Sequence, residues 1–539
     1  MLTRPQRPPN SGGLTAPLRI GMFRALWSAT MLSNFGWLIQ GTAAAWLMTS
    51  LAGTADMVAL VQTAEQLPIV VLSLLAGAAA DLWDRRVVLL IAQLWMFAVS
   101  TLLSLMTFMG LITPWALLGL TFALGLGAAL QGPASQSVMR ELVPPEDLPA
   151  AVTLSSIAYN FARSAAPGIG GILVATAGAQ AAFLVNAVSY IGLIAVLLFW
   201  RRPKLKDDLP REHVASAIIT GLRYALETRP IQSTVIRSAA FAFAATAPIA
   251  LLPLVARDLA GGGPVTYGLL LGGFGAGAMG SAFFIHTLRQ KLGADLLVRC
   301  LAVIFALQLL ILALVPYKIV MVFALALGGI GWLGSFTSLN ISIQTISAFW
   351  VQARIFSFYQ MTQFVAMALG SWLWGELAVV TSLQTALLAA GGCMLATGFL
   401  GFVFHLPTGP APDLRPAATR RQDPATAFAF RQDEGPVLVL VEYRVSVQDA
   451  RAFARSMEEV GHLRKRNGAR HWQVFQDVAD AEHWIEAFDV RSWLDYRRQA
   501  RRATAADEAI EARVRHYHKG DEPPLLRHLI ARHFDQPTT

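Results

Sequence analysis

The chain's 539 residues are 55% hydrophobic and only 14% charged, against about a quarter charged in a soluble globular protein, which excludes a chain with all of its surface in water. The formal net charge of +9 is spread over alternate polar segments and the last quarter of the sequence, a distribution that marks membrane topology and argues against nucleic acid. Cys300 and Cys393 both fall in apolar stretches, so no disulfide framework or CxxC site is available, and neither a metal nor a cofactor is expected.

Residues 1–19 are rich in Pro and Arg without a cleavable signal pattern, so the first apolar run is expected to act as its own insertion signal. Twelve runs follow, at roughly 20–48, 56–80, 87–111, 114–137, 150–175, 179–200, 231–256, 266–288, 294–315, 318–341, 356–379 and 382–405, each of a length suited to a hydrocarbon core about 30 Å thick. Lys and Arg assign the sides. One alternate set of connections holds Arg4, Arg7, Arg19, Arg85, Arg86, Arg140, the basic residues of 201–211, Arg223, Arg229, Arg289, Lys291 and Arg354. The other holds Arg257 and Lys318. The first set is therefore cytoplasmic, and both termini are expected on that side.

A longer polar connection at 201–230 separates a six-helix half at 1–200 from a second at 231–406. Within it Val214, Ile218, Ile219, Leu222 and Leu226 recur at helical spacing, which predicts an amphipathic helix on the inner membrane surface. Residues 407–434, rich in Pro, Ala, Thr and Arg, read as a linker. A soluble α+β pattern occupies 435–531. Val437–Val445 is a β-rich run, and Ser446 with Asp449 has capping-box spacing before a helix whose apolar face is Phe453, Met457 and Val460. Two more strands are expected at 469–476 and 483–488, helices opened by Ser492 with Asp495 and by Thr504 with Asp507, and a last strand at 525–531. At about 95 residues this part is large enough to fold alone.

Ionisable groups inside apolar spans are costly and mark cavities or pathways. Glu65, flanked by Gln62 and Gln66, lies ~24 Å along its helix from Asp81 and is a candidate proton carrier, because desolvation favours a neutral carboxyl. Arg163, with Asn160 a turn before it, is a candidate for an anionic substrate group or a gate. Asn34, Gln40 and Gln363 add uncharged polar groups. Trp37, Trp332, Trp372 and Trp374 are candidates for stacking on an aromatic substrate, although packing is the commoner use of tryptophan. Glu376, Arg237 and His286 sit near span ends, where long side chains snorkel to the interface.

The stretch Gly77 to Arg86, GAAADLWDRR, resembles the loop between the second and third helices of the major facilitator superfamily, with Gly77, Asp81, Arg85 and Arg86 matching and Leu82 and Asp84 departing. The resemblance implies an inner gate there, and with it a twelve-helix, six-plus-six membrane fold. Ala166-Pro167-Gly168-Ile169-Gly170-Gly171 is similar to the superfamily's antiporter motif in helix five, associated with proton-coupled export; the same glycines also serve close helix packing. Leu142–Ala151, Trp350–Arg354 and Gly370–Gly375 resemble the bacterial transmembrane secretion effector branch, which includes the enterobactin exporter. Glu442–Arg444, Arg464–Ala469 and Ser492-Trp493 resemble a tail domain of that branch, similar to the ferredoxin-like fold of antibiotic-biosynthesis monooxygenases, which often pairs through its sheet. His471, Trp472 and Trp484 are candidates for a pocket or for the core of that domain, and the Arg464–Arg466 run for lipid headgroups or a solvated loop.

These expectations describe a non-enzymatic exporter of small drug- or siderophore-like molecules in a bacterial inner membrane, working by proton antiport, with protons, substrate and lipid as partners and dimerisation through the tail. No GxxxxGK[ST] motif supports ATP-driven transport. An importer or facilitator of the same fold, and a membrane-tethered ligand-binding or monooxygenase-like tail, remain the alternatives.

Overall fold

The computed structural model describes residues 15–82, 84–144, 147–200, 214–348, 350–407, 413–414, 426–428, 430–520 and 522–531. Long helices fill the first three quarters: α1 (Gly21–Leu51), α2 (Ala55–Leu82), α3 (Arg85–Phe108), α4 (Pro114–Leu142) and α5 (Leu148–Phe199), then α6 (Val214–Leu226), α7 (Arg229–Leu254), α8 (Pro264–Ser281), α9 (Ile285–Leu314), α10 (Lys318–Ile346), α11 (Gln352–Val380) and α12 (Leu383–Leu400). α5 is two limbs joined at Gly178, whose φ of 80° and ψ of 169° suit glycine and interrupt the helix there. Among the described residues nine stretches are long and apolar enough to cross a membrane, and one of them, at 157–199, holds both limbs of α5. With α1 and α8 this makes twelve membrane helices, six on each side of α6. This is the major-facilitator fold.

Local chemistry sets the helix ends. Thr113 accepts from the Ala116 N–H at 3.2 Å ahead of Pro114, and Ser382 accepts from the Thr385 N–H at 3.1 Å. Asp84, where the family loop has glycine, is the N-cap of α3, its Oδ1 accepting from the Arg86 N–H at 2.9 Å. Gly77 and Asp81 fall in the last turns of α2 and Arg85 at the first position of α3; beyond that helical backbone they lie outside the described residues, as does the Asn160 side chain.

The chain packs as two compact units. One is Met1–Leu209, Val235–Asn340 and Tyr359–Thr408; the other is Pro210–Thr234, Ile341–Phe358 and Gly409–Thr539. The second unit therefore combines α6 and the α10–α11 turn with the tail domain. Most of the expected linker at 407–434 lies outside the described residues.

The tail domain is a four-stranded antiparallel sheet ordered β2-β3-β1-β4, from β1 (Val437–Arg444), β2 (Arg470–Gln476), β3 (His483–Val490) and β4 (Leu525–Ile530). Val437 pairs with Val490 and Arg444 with His483, so alternate residues of β1 turn one way. Val437, Val439, Val441 and Tyr443 are buried under α13 (Ala450–Arg466), α14 (Trp493–Arg502) and α15 (Ala505–Arg515). Ser492 and Thr504 cap α14 and α15 as expected, the latter as a full capping box. The Ser446–Asp449 expectation fails: Asp449 precedes α13 without a side-chain cap, and its N–H bonds the Ser446 carbonyl at 2.9 Å in a backbone turn.

Three charged residues are placed differently from expectation. Arg464 is 6% exposed, its Nε donating to Glu486 at 2.9 Å and its Nη1 to Glu511 at 2.7 Å. Arg466 pairs with Asp507 and lies 5.1 Å over the Tyr224 ring of α6. The run is therefore neither a solvated loop nor a patch free for lipid, because carboxylates distant in sequence draw it inward. Arg237, expected to snorkel, is 2% exposed and pairs with Asp295. Trp472 and Trp484 pack in the tail core, while the His471 side chain is exposed beside Asp489.

Candidate functional site

Glu65 stands one turn before Pro68 in α2, where the proline withholds an N–H from the preceding turn. Gly125 of α4 lets that turn come close: a Cβ there would lie 2.8 Å from Pro68 Cγ and 2.9 Å from the Glu65 carbonyl. The Glu65 side chain is half-buried. The Trp37 indole of α1 and the Arg163 guanidinium of α5 are near enough to act on its carboxyl. Arg163 also sits 5.1 Å over the ring of Trp332 in α10. Trp332 packs edge-on against Phe336 at 4.8 Å and Phe274 at 5.9 Å.

A carboxyl, a guanidinium and an aromatic wall thus meet from α1, α2, α5, α8 and α10. The Arg163–Trp332 contact reaches from the first six-helix half to the second; an interaction of this kind contributes about 0.5–1 kcal/mol when exposed and roughly 2 when desolvated. Chemically the arrangement offers a cation for an acidic group, a flat apolar surface and one protonatable site.

The other expected residues are placed elsewhere. Gln40 is 4% exposed and held between Ser100 of α3, at 3.0 Å, and Asn186 in the second limb of α5. Gln363 bonds Ser238, joining α11 to α7. Asn34 is half-buried on α1, one turn before Trp37. Trp372 is 49% exposed, and Trp374 donates to the Phe243 carbonyl at 2.9 Å, so both are occupied with surface and packing. Glu376 and His286 are exposed. Pro167 is buried in the first limb of α5, where a Cβ on Gly171 would stand 2.7 Å from Gly268 Cα of α8 and one on Gly168 3.9 Å from the Gly268 carbonyl; Gly170 faces Ile39 of α1.

The α5–α8 crossing belongs to a set of contacts between the halves near the α1–α2 end. Ser371 of α11 donates to the Ala59 carbonyl of α2 at 2.6 Å, Thr63 donates to the Ala368 carbonyl at 3.2 Å, and Arg257 after α7 donates to the Thr49 carbonyl at 2.9 Å. In the sequence Arg257 reads only as a topology charge and Ser371 only within the Gly370–Gly375 stretch; their bonds across the halves are not legible there, because each goes to a main-chain carbonyl that any residue supplies.

A family profile described as transmembrane secretion effector matches residues 12–536. The chain belongs to that family. Among curated relatives it is 27% identical over 255 residues to the staphyloferrin A transporter of Staphylococcus aureus, covering 46% of this chain and 63% of that one. It is 26% identical over 405 residues to the multidrug efflux pump Tap of Mycobacterium tuberculosis, covering 72% and 94%. The chain thus spans less than two thirds of the staphyloferrin A transporter. A bacterial homologue of the lysosomal transporter Spinster, solved inward-facing and unoccupied, shares the fold at a TM-score of 0.57 and 13% identity over 72% of this chain and 95% of that one. The family and these relatives are transporters, not enzymes.

In this member of the secretion effector family, Arg86 of the α2–α3 loop does not reach across to the other half. Its Nε and Nη2 donate to the carbonyls of Leu197 and Leu198 at 2.7 Å each, closing the end of α5. The second half repeats the device: Arg299 of α9 donates to the Gly401 carbonyl at 2.6 Å, just past α12. Asp295, unremarked in the sequence, accepts from both Arg237 and Arg299.

Proposed function

We propose that this chain exports small organic molecules across the bacterial cytoplasmic membrane by proton antiport, its two halves rocking about the Glu65–Arg163 site. The observation that carries the reading is the partly accessible Glu65 beside Arg163, which in turn lies on Trp332 of the opposite half. A proton on Glu65 would remove a negative charge near Arg163 and leave the guanidinium more open to an acidic group on the substrate. Trp332 would take the flat apolar part of that substrate. One relative's name, a multidrug efflux pump, supports the direction and a drug-like class, and the other is named a transporter of staphyloferrin A. The Lys/Arg asymmetry supports cytoplasmic termini, with the α2–α3 loop, Gly77, Asp81, Arg85 and Arg86, controlling access from that side.

The test uses everted vesicles holding the full chain under an imposed pH gradient, with a panel of aromatic drugs and siderophores. Wild type is expected to take up at least one of them and to discharge the gradient as it does so. Glu65→Gln should lower gradient-driven uptake at least tenfold while leaving the protein in the membrane. Uptake by Glu65→Gln that still follows the gradient would refute the proton-carrier role.

A further inference from the structure

Three arginines from separate elements line one small cavity in the second compact unit. Its volume is about 40 Å³, and its wall includes Arg223 of α6, Asn467 and Gly468 just after α13, Arg491 before α14 and Arg502 at the end of α14. A cavity of this size has room for a few waters or for one tetrahedral oxyanion in their place. Arg223 is loosely held, its Nη1 standing 3.5 Å from the Gly468 carbonyl. Burial, followed by the charges of Arg470 and Arg491, draws its pKa below the usual guanidinium value against the pull of Glu227. Three guanidinium groups thus share one wall, Arg502 also lying 4.5 Å over the Trp350 ring. The carboxylate on the wall, Asp495, leans on Arg498 at 3.3 Å, and Glu227 is 3.9 Å from His462.

A second feature of the wall is independent of charge. The Asn467 side chain is 3% exposed and lines the same cavity, its Oδ1 enclosed without a hydrogen-bond partner. A buried amide left this way calls for a ligand, and a half-turn exchanges its donor and acceptor ends.

We propose that this cavity binds a phosphate group, held by Arg223, Arg491 and Arg502 with the Asn467 amide, and that the bound group fastens the tail domain to α6. Planar guanidinium forks match phosphate oxygens in pairs, and cations suit its negative charge. Asp495 would accept from the proton of a free hydrogen phosphate or from a glycerol hydroxyl of a headgroup. α6 lies in the connection between the six-helix halves, so occupancy of the site acts on the segment through which the halves are joined.

The ligand is a soluble phosphate or the headgroup of a membrane lipid, and one experiment separates them. Hydrogen exchange at 214–226 is followed in the full-length protein, in detergent with inorganic phosphate and in lipid discs of phosphatidylcholine with or without phosphatidylglycerol. Protection by inorganic phosphate assigns a soluble ligand; protection only in phosphatidylglycerol discs assigns the headgroup. In either case Arg223→Gln and Arg491→Gln should each raise the half-saturating concentration at least tenfold, whereas Arg444→Gln, on β1 away from the cavity, should not. No protection under any condition, or equal loss in all three variants, overturns the proposal.

Discussion

Arg464→Met is expected to open the tail domain while leaving the membrane helices folded. Glu486 has no exposed surface, and its carboxylate accepts from Arg464 Nε at 2.9 Å, Trp472 Nε1 at 3.0 Å and Tyr443 Oη at 3.2 Å. Burial opposes the charge on Arg464, yet Glu486 and Glu511 together hold its pKa above the ordinary guanidinium value. Removing the cation leaves a charge enclosed without its counter-ion, a loss of roughly 3–5 kcal/mol, set against total domain stabilities of about 5–15 kcal/mol. A domain this size then melts about 4–8 °C lower per kcal/mol. Faster hydrogen exchange at β1 and β3 in the full-length protein is the measurement, and exchange unchanged from wild type would refute the account.

The loss can be traced to Glu486, the carboxylate left without its cation. Adding Glu486→Leu should recover part of the loss. Recovery stays partial, because Tyr443 Oη and Trp472 Nε1 then lose their acceptor.

Gly171→Val is expected to abolish efflux with little loss of protein from the membrane. The side chain would enter the space where Gly171 meets Gly268 Cα and the Pro264 carbonyl, at 2.7 and 2.8 Å from its first carbon. Both partners there are backbone and cannot rotate away, so the helices must separate. Because α5 and α8 belong to different halves, the separation falls on the arrangement in which the α1–α2 end is shut. Accessibility of a cysteine placed at Ala59 to a membrane-impermeant thiol reagent reads this directly: the reaction should speed up at least tenfold in Gly171→Val. An unchanged labelling rate with full efflux would refute it.

Much of the architecture was legible because it depends on local chemistry. Alternation along Val437–Arg444 and the side-chain caps Ser492 and Thr504 involve residues at most three apart, and each stands where spacing placed it. The Ser446–Asp449 pair had the same spacing, but a main-chain turn satisfied the helix start first. Glu65 and Arg163 were legible as charges in apolar runs. Arg464 and Arg237 were not, for a common reason: their carboxylate partners, Glu486 and Asp295, lie 22 and 58 residues away. A cation's burial is decided by such a partner, and spacing along one helix carries no trace of it. The crossing of Arg163 onto Trp332 was hidden likewise, since it exists only once the two halves meet.

Arg86 and Arg299 carry a consequence for how the molecule can move. Arg86 fastens the first turn of α3 to the end of α5, and Arg299 fastens the middle of α9 to the turn after α12, each within its own half. Neither clasp crosses the seam, so neither has to break when the halves tilt. Each set of six helices could therefore travel as a stiff shell, and among the described residues the bonds a tilt would strain include Ser371 to Ala59, Thr63 to Ala368 and Arg257 to Thr49, with the Arg163–Trp332 contact. Tuning transport speed through such contacts need not disturb the fold of either shell.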